Sequence, residues 1–162
     1  MPAMAAKEAS DSPMGCFRPL THLREAALDP AAAALVVIDV QNFCCHPRGA
    51  QHRHLSQDEL RASEPHFWVA MPEAVRNIAS LLPAFRSLRS EVLYTTIESL
   101  TADGRDRSLD YKISGFNVPR GSWDGRVLDE VAPSPDEIVL PKTSCSVFLS
   151  TNLPYLLRNL GA

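Results

Sequence analysis

The stretch Leu35-Val36-Val37-Ile38-Asp39-Val40-Gln41-Asn42-Phe43 constrains the fold of this chain more than any other. Apolar, largely β-branched residues run without polar alternation into a carboxylate and two amides. Such a run is expected for a strand buried on both faces, as central strands are in parallel, helix-covered sheets. Asp39 then stands at the carboxyl end of its strand, where open α/β sheets collect ligands because the loops diverge into a crevice. A lone Asp there is equally well explained as a brace for the next loop. Chemistry requires a second group on the same edge.

The second group comes from the order of the later elements. From Met71-Pro72-Glu73 a helical pattern begins, with Val75, Ile78, Ala79, Leu82 and Phe85 on one face. Pro83 deletes a backbone donor and is expected to kink or restart that helix. Val92 to Ile97 reads as a second buried strand, so strand, helix and strand follow one another as in a parallel crossover. The third strand, Asp136 to Lys142, ends in a lysine. In a parallel sheet Lys142 and Asp39 share the carboxyl edge, either as an ordinary ion pair or as a site; Glu98, just past the second strand, is a weaker candidate. Leu153, Leu156, Leu157 and Leu160 make a further apolar stripe at helical spacing, with Asn152 at the N-cap and Gly161 at the C-cap. That helix is expected to leave apolar surface open unless another strand follows it. The fold class is therefore α/β, a doubly wound, Rossmann-like and mostly parallel sheet with helices on both faces, incomplete at its C-terminal end.

Other classes are disfavoured. The 162 residues are 45% hydrophobic with a formal charge of −3, which suits one soluble domain. The basic residues form no stripe of the kind phosphate binding needs, and no apolar run approaches membrane-spanning length. Cys16, Cys44, Cys45 and Cys145 form no C-x-x-C pair and suit reduced intracellular thiols, which with the lack of an apolar signal core predicts a cytoplasmic location. Residues 1–30 are read as a flexible lead-in with one helical turn near Leu23 to Leu28, and residues 31–162 as the folded domain. The loop from Cys44 to Pro65 is His-rich, but His46, His52, His54 and His66 lack ligand spacing and are expected to be solvated. From Ser99 to Pro135 few regular signals appear beyond a short helix at Arg126 to Val131. A connection this long usually covers a site, and Tyr111, Phe116 and Trp123 are pocket candidates within it.

Asp39-Val40-Gln41-Asn42-Phe43, then Tyr94-Thr95, then Lys142-Thr143-Ser144-Cys145-Ser146-Val147-Phe148 with Thr151 and Leu153, resembles the isochorismatase-like cysteine hydrolase family. The resemblance runs from about Ala34 to Ala162. It implies a hydrolase acting on C–N bonds through an Asp, a Lys and a Cys, by way of a thioester stage. Carried over, Asp39 is the acid/base and Lys142 the cation. The matching Cys falls beyond Ala162, so the resemblance implies a shortened member that lacks its nucleophile. Cys145 occupies a variable position of the motif and is expected to pack or support. The resemblance further suggests Gln41, Phe43, Arg105 and Trp123 against a small amide or ureido substrate, with Arg107 and Lys112 as other possible partners of its carboxylate. The zinc-binding D-x-H arrangement of the nicotinamidase branch is absent, so neither a metal nor another cofactor is implied. Homo-oligomerisation is expected. The alternative expectation is a non-catalytic short form that assembles with other subunits.

Overall fold

The computed structural model describes residues 29–162; most of the expected lead-in, including its helical turn and Cys16, lies outside them. After a 3₁₀ turn at Pro30–Ala32 come β1 (Ala34–Ile38), α1 (Asn42–Cys45), α2 (Gln57–Ser63), α3 (Pro65–Leu88), β2 (Glu91–Ile97) and α4 (Leu109–Ser114). Two more 3₁₀ turns, Trp123–Gly125 and Asp129–Val131, lead to β3 (Ile138–Lys142), α5 (Val147–Ser150) and α6 (Leu153–Leu160). The three strands are parallel in the order β1-β2-β3, with Ile38 opposite Thr95 and Ile97 opposite Lys142.

Alternation along the strands divides the apolar residues between two helical layers. Val37, Val92 and Tyr94 meet Val75 and Leu82 of α3 on one face. Leu93 and Leu140 meet Leu153, Leu156, Leu157 and Leu160 of α6 on the other. The α/β sheet with helices on both faces is thus as expected; in the leucine stripe Leu153 is buried, Leu156, Leu157 and Leu160 are partly buried, and Val139 of β3 is 40% exposed. The strand buried on both faces is β2, however, whose residues from Val92 to Ile97 are all buried. β1 has β2 as its one strand partner among the described residues, and Ile38 is 61% exposed.

The helices correct the sequence reading in two places. α3 begins at Pro65 and runs unbroken through Pro72 and Pro83. Both prolines lie on its exposed side, where the carbonyls they free can take water, while Val75 and Leu82 hold the opposite side to the sheet. α2 occupies part of the stretch read as irregular. A capping box starts it: Ser56 Oγ accepts from the Glu59 N–H, and the Glu59 carboxylate accepts from the Ser56 N–H at 2.8 Å.

Candidate functional site

Parallel pairing brings the ends of β1 and β3 to either side of the end of β2. There the Asp39 N–H donates to the Thr95 carbonyl at 3.0 Å, and the Glu98 N–H donates to the Lys142 carbonyl at 3.2 Å. Asp39 leaves the strand with φ 53°, a left-handed conformation that Asp tolerates better than most residues. That turn aims its carboxylate across the sheet edge. Oδ1 accepts from Thr95 Oγ1 at 2.7 Å, and Oδ2 lies 2.8 Å from Lys142 Nζ.

Lys142 is sealed, its side chain 3% exposed against 23% for Asp39. A buried ammonium is tolerated only when its donors are matched. Here Asp39 Oδ2 at 2.8 Å, Tyr111 Oη at 3.0 Å and the Ser144 carbonyl at 3.3 Å match all three. Burial by itself would push the Lys142 ammonium down, but the bonds to Asp39 and then Tyr111 outweigh it and leave the group above its ordinary range. Burial raises the Tyr111 phenol, with Lys142 acting in opposition. The arrangement is an anchored cation beneath a carboxylate that is partly open to solvent.

Thr95 was not assigned to the site from the sequence, and Tyr111 was read only as a pocket candidate with no tie to Lys142. Thr95 carried a readable signal, because a hydroxyl at the end of a buried apolar strand, beside Asp39, needs a partner. Tyr111 enters through the long connection and offered no such register.

The remaining candidates lie elsewhere. Gln41, placed against substrate by the sequence reading, is fully buried. Its Nε2 donates to the Ile97 and Asp124 carbonyls, each at 3.0 Å, and its Oε1 accepts from the Ile97 N–H at 2.6 Å. The side chain acts as a splice between strand and loop, with no donor left for a ligand. Phe43 is buried edge-on against Phe116 at 5.4 Å, and Phe116 in turn sits 5.6 Å from Tyr111. Phe43 and Phe116 line a cavity of about 470 Å³ with Arg53, His54, Asn117 and Asp124, and neither Asp39 nor Lys142 lines it. Arg105 is exposed and pairs with Asp103 at 3.1 Å. Trp123 is 39% exposed and stands edge-on to His46 at 4.9 Å. Arg107 donates to the Gly104 and Phe116 carbonyls and so braces its loop. Glu98 accepts from the Gly121 N–H at 3.1 Å.

The cysteines and histidines also depart from expectation. Cys145 is exposed rather than packed, and its thiol donates to Asp110 Oδ2 at 3.1 Å. That carboxylate raises the thiol above its usual range, the reverse of activation. Cys44 and Cys45 both direct their thiols at the backbone carbonyl of Asp39, at 3.2 and 3.5 Å, and not at its carboxylate. His52 is buried, not solvated: its Nε2–H donates to the Cys44 carbonyl at 2.9 Å, and the ring packs edge-on against Trp68.

A family model described as the isochorismatase domain matches residues 33–162. Among solved structures, a cysteine hydrolase from Pseudomonas syringae pv. phaseolicola is 23% identical with a TM-score of 0.68, over 85% of this chain and 59% of that one. N-carbamoylsarcosine amidase from Thermoplasma acidophilum is 26% identical with a TM-score of 0.53, over 79% and 61%. An isochorismatase family protein from Desulfovibrio vulgaris is 24% identical with a TM-score of 0.55, over 80% and 62%. The chain therefore spans about three fifths of the length of each of these structures.

Proposed function

The chain belongs to the isochorismatase family, and on that premise we propose that Asp39 and Lys142 are the acid–base and cationic groups of a hydrolase that cleaves a C–N bond in a small amide or ureido compound. The observation that carries this reading is the 2.8 Å pair between a sealed ammonium and a solvent-facing carboxylate at the carboxyl edge of the sheet. In the proposed reaction a cysteine thiol gives its proton to Asp39 as it attacks the carbonyl carbon. The C–N bond breaks as that proton passes to the leaving nitrogen, and water then cleaves the thioester. Lys142 offsets the negative charge that develops on thiolate and oxygen, and Tyr111 holds Lys142 in place. The ureido alternative draws support from the likeness to the N-carbamoylsarcosine amidase.

The test is ammonia release from a panel of small amides and N-carbamoyl compounds, run on the domain at the full length of the structures it matches. Wild type should turn over at least one of them, and Asp39→Asn and Lys142→Ala should each lose about 100-fold or more in kcat. Activity retained in both variants would remove the pair from the chemistry.

A second reading is favoured by one specific observation. Ile38, the last residue of β1, is 61% exposed, and Phe148 and Leu149 of α5, which follows β3, are 61% and 87% exposed. In this reading the rim is a subunit contact, formed with a second copy or a longer relative, and the short chain is a non-catalytic partner. Light scattering across a concentration series distinguishes it: a Phe148→Ser, Leu149→Ser variant should shift the protein to monomer, and a wild-type monomer at every concentration, alone and mixed with a longer relative, would exclude it.

A further inference from the structure

Outside the Asp39–Lys142 pair, the densest group of nucleophiles is Cys44 and Cys45 in α1, with their sulfurs 3.6 Å apart. That spacing discriminates between fates. A disulfide needs about 2.0 Å between sulfurs. Two thiolates held by one atom at about 2.3 Å each, with a tetrahedral angle between them, stand about 3.8 Å apart. At 3.6 Å the two sulfurs are in van der Waals contact, unbonded to each other, and a single thiophilic atom could bridge them with little movement of either side chain.

What kind of atom fits follows from the surroundings. Among the described residues no third His, Cys, Asp or Glu gathers with the pair into a metal-holding cluster. A four-coordinate metal would be left short of protein ligands. A centre satisfied by two sulfurs and carrying its own third substituent would not. The place for that substituent is also present, because Cys45 lines a cavity of about 440 Å³ between α1 and α3 whose walls include Trp68, Met71, Val75 and Leu128.

We infer that Cys44 and Cys45 form a capture site for a trivalent aryl arsenical, with arsenic bridging the two sulfurs and the aryl ring in the Trp68–Met71–Leu128 cavity. The hydrated arsenical loses two As–O bonds and gains two As–S bonds. Each thiol proton leaves on a departing oxygen as water, and arsenic remains trivalent, so no oxidant takes part. Cys45 attacks first: its thiol lies below the usual range because Cys44 is hydrogen-bonded to it, whereas that same contact and burial raise Cys44, which closes the ring second. Closure removes both S–H groups from beside the Asp39 carbonyl, which the sulfurs approach at 3.2 and 3.5 Å, so occupancy is felt at the residue that anchors the other site.

The test is titration of the 162-residue chain with phenylarsine oxide, followed by intact mass spectrometry. One phenylarsenic unit should be retained in excess monothiol and released by a dithiol, and the tryptic peptide ending at Arg48 should carry it. Cys44→Ser and Cys45→Ser should each weaken retention about 100-fold, the chelate advantage of an intramolecular second bond, while a Cys16→Ser, Cys145→Ser double variant binds as wild type. The phenyl compound should bind at least about tenfold more tightly than its methyl counterpart, since only the ring fills the apolar cavity. Mapping the arsenic to any other peptide of the wild-type protein, or equal affinity for the methyl and phenyl compounds, would overturn the proposal. Peptide mapping needs no variant to fold.

Discussion

Lys142 Nζ and Asp39 Oδ2 meet at 2.8 Å, yet the two partners are sealed to very different degrees, 3% and 23% exposed. The asymmetry predicts an order of mutational cost. Asp39→Asn strands a buried ammonium without its counter-charge, whereas Lys142→Met leaves a carboxylate that water can reach. Removing one partner of a buried pair costs about 3–5 kcal/mol, so Asp39→Asn should approach that range and Lys142→Met should fall below it. Urea unfolding at neutral pH measures both. If Lys142→Met proves the more destabilising, the ammonium is better hydrated than its burial implies.

The alkaline limb of stability should report the same pair. Lys142 titrates above its unfolded value, so the stability it adds is fully present below about pH 10.4 and is lost as pH rises through the higher folded value. Tyr94, pushed to about 12 chiefly by burial, acts in the same direction and window. Subtracting the stability curve of Lys142→Met from that of wild type isolates the lysine. The difference should be flat to about pH 10 and then shrink; a difference that grows with pH would contradict the assigned direction.

On the acid side the informative group is Asp106. Burial would raise its carboxyl, but bonds from the Thr101 hydroxyl and from the Leu100 and Thr101 N–H groups hold it at about 2. A depressed carboxyl contributes stability above its unfolded value, about 3.9, and loses it as pH falls towards the folded one. The turn from Leu100 to Arg107 should therefore loosen between about pH 4 and pH 2. Carbon-detected NMR of the Asp106 carboxyl should show titration near 2, and an ordinary Asp midpoint would remove the brace.

How much of this was legible in the sequence depended on whether an apolar pattern or a polar partner did the work. Parallel strands fix the side on which their ends emerge, so the run before Asp39 and the strand before Lys142 were enough to bring the two residues to one rim. The same reasoning did not tell β1 from β2, which is the central strand among the described residues, because both are continuous apolar runs and only pairing separates them. It also started α3 late and expected a break at Pro83, because a proline's cost depends on whether the freed carbonyl meets water, which periodicity does not encode. α2 was missed although Ser56 and Glu59 carry the capping-box signature, since its short charged run has little apolar period. Tyr111, His52 and the loop arginines are positioned by the long connections, where side-chain bonds rather than periodicity decide the path.

Gln41 gives the sharpest separation between support and substrate contact. Its amide bonds the Ile97 N–H and carbonyl and the Asp124 carbonyl, while the side chain is fully buried. Gln41→Ala would leave three backbone groups unmatched in the interior, at about 1–3 kcal/mol for each buried group that finds no water. Water entering the space left behind would recover part of that, so the expected loss is about 3 kcal/mol, read as a lower urea midpoint with an unchanged slope. At the full length of the matched structures and at a temperature where the variant stays folded, KM for any substrate turned over should stay within about twofold of wild type, because the amide has no donor left to offer. A stability near that of wild type together with a KM raised tenfold or more would return Gln41 to the substrate and require the strand-to-loop splice to be made by another group.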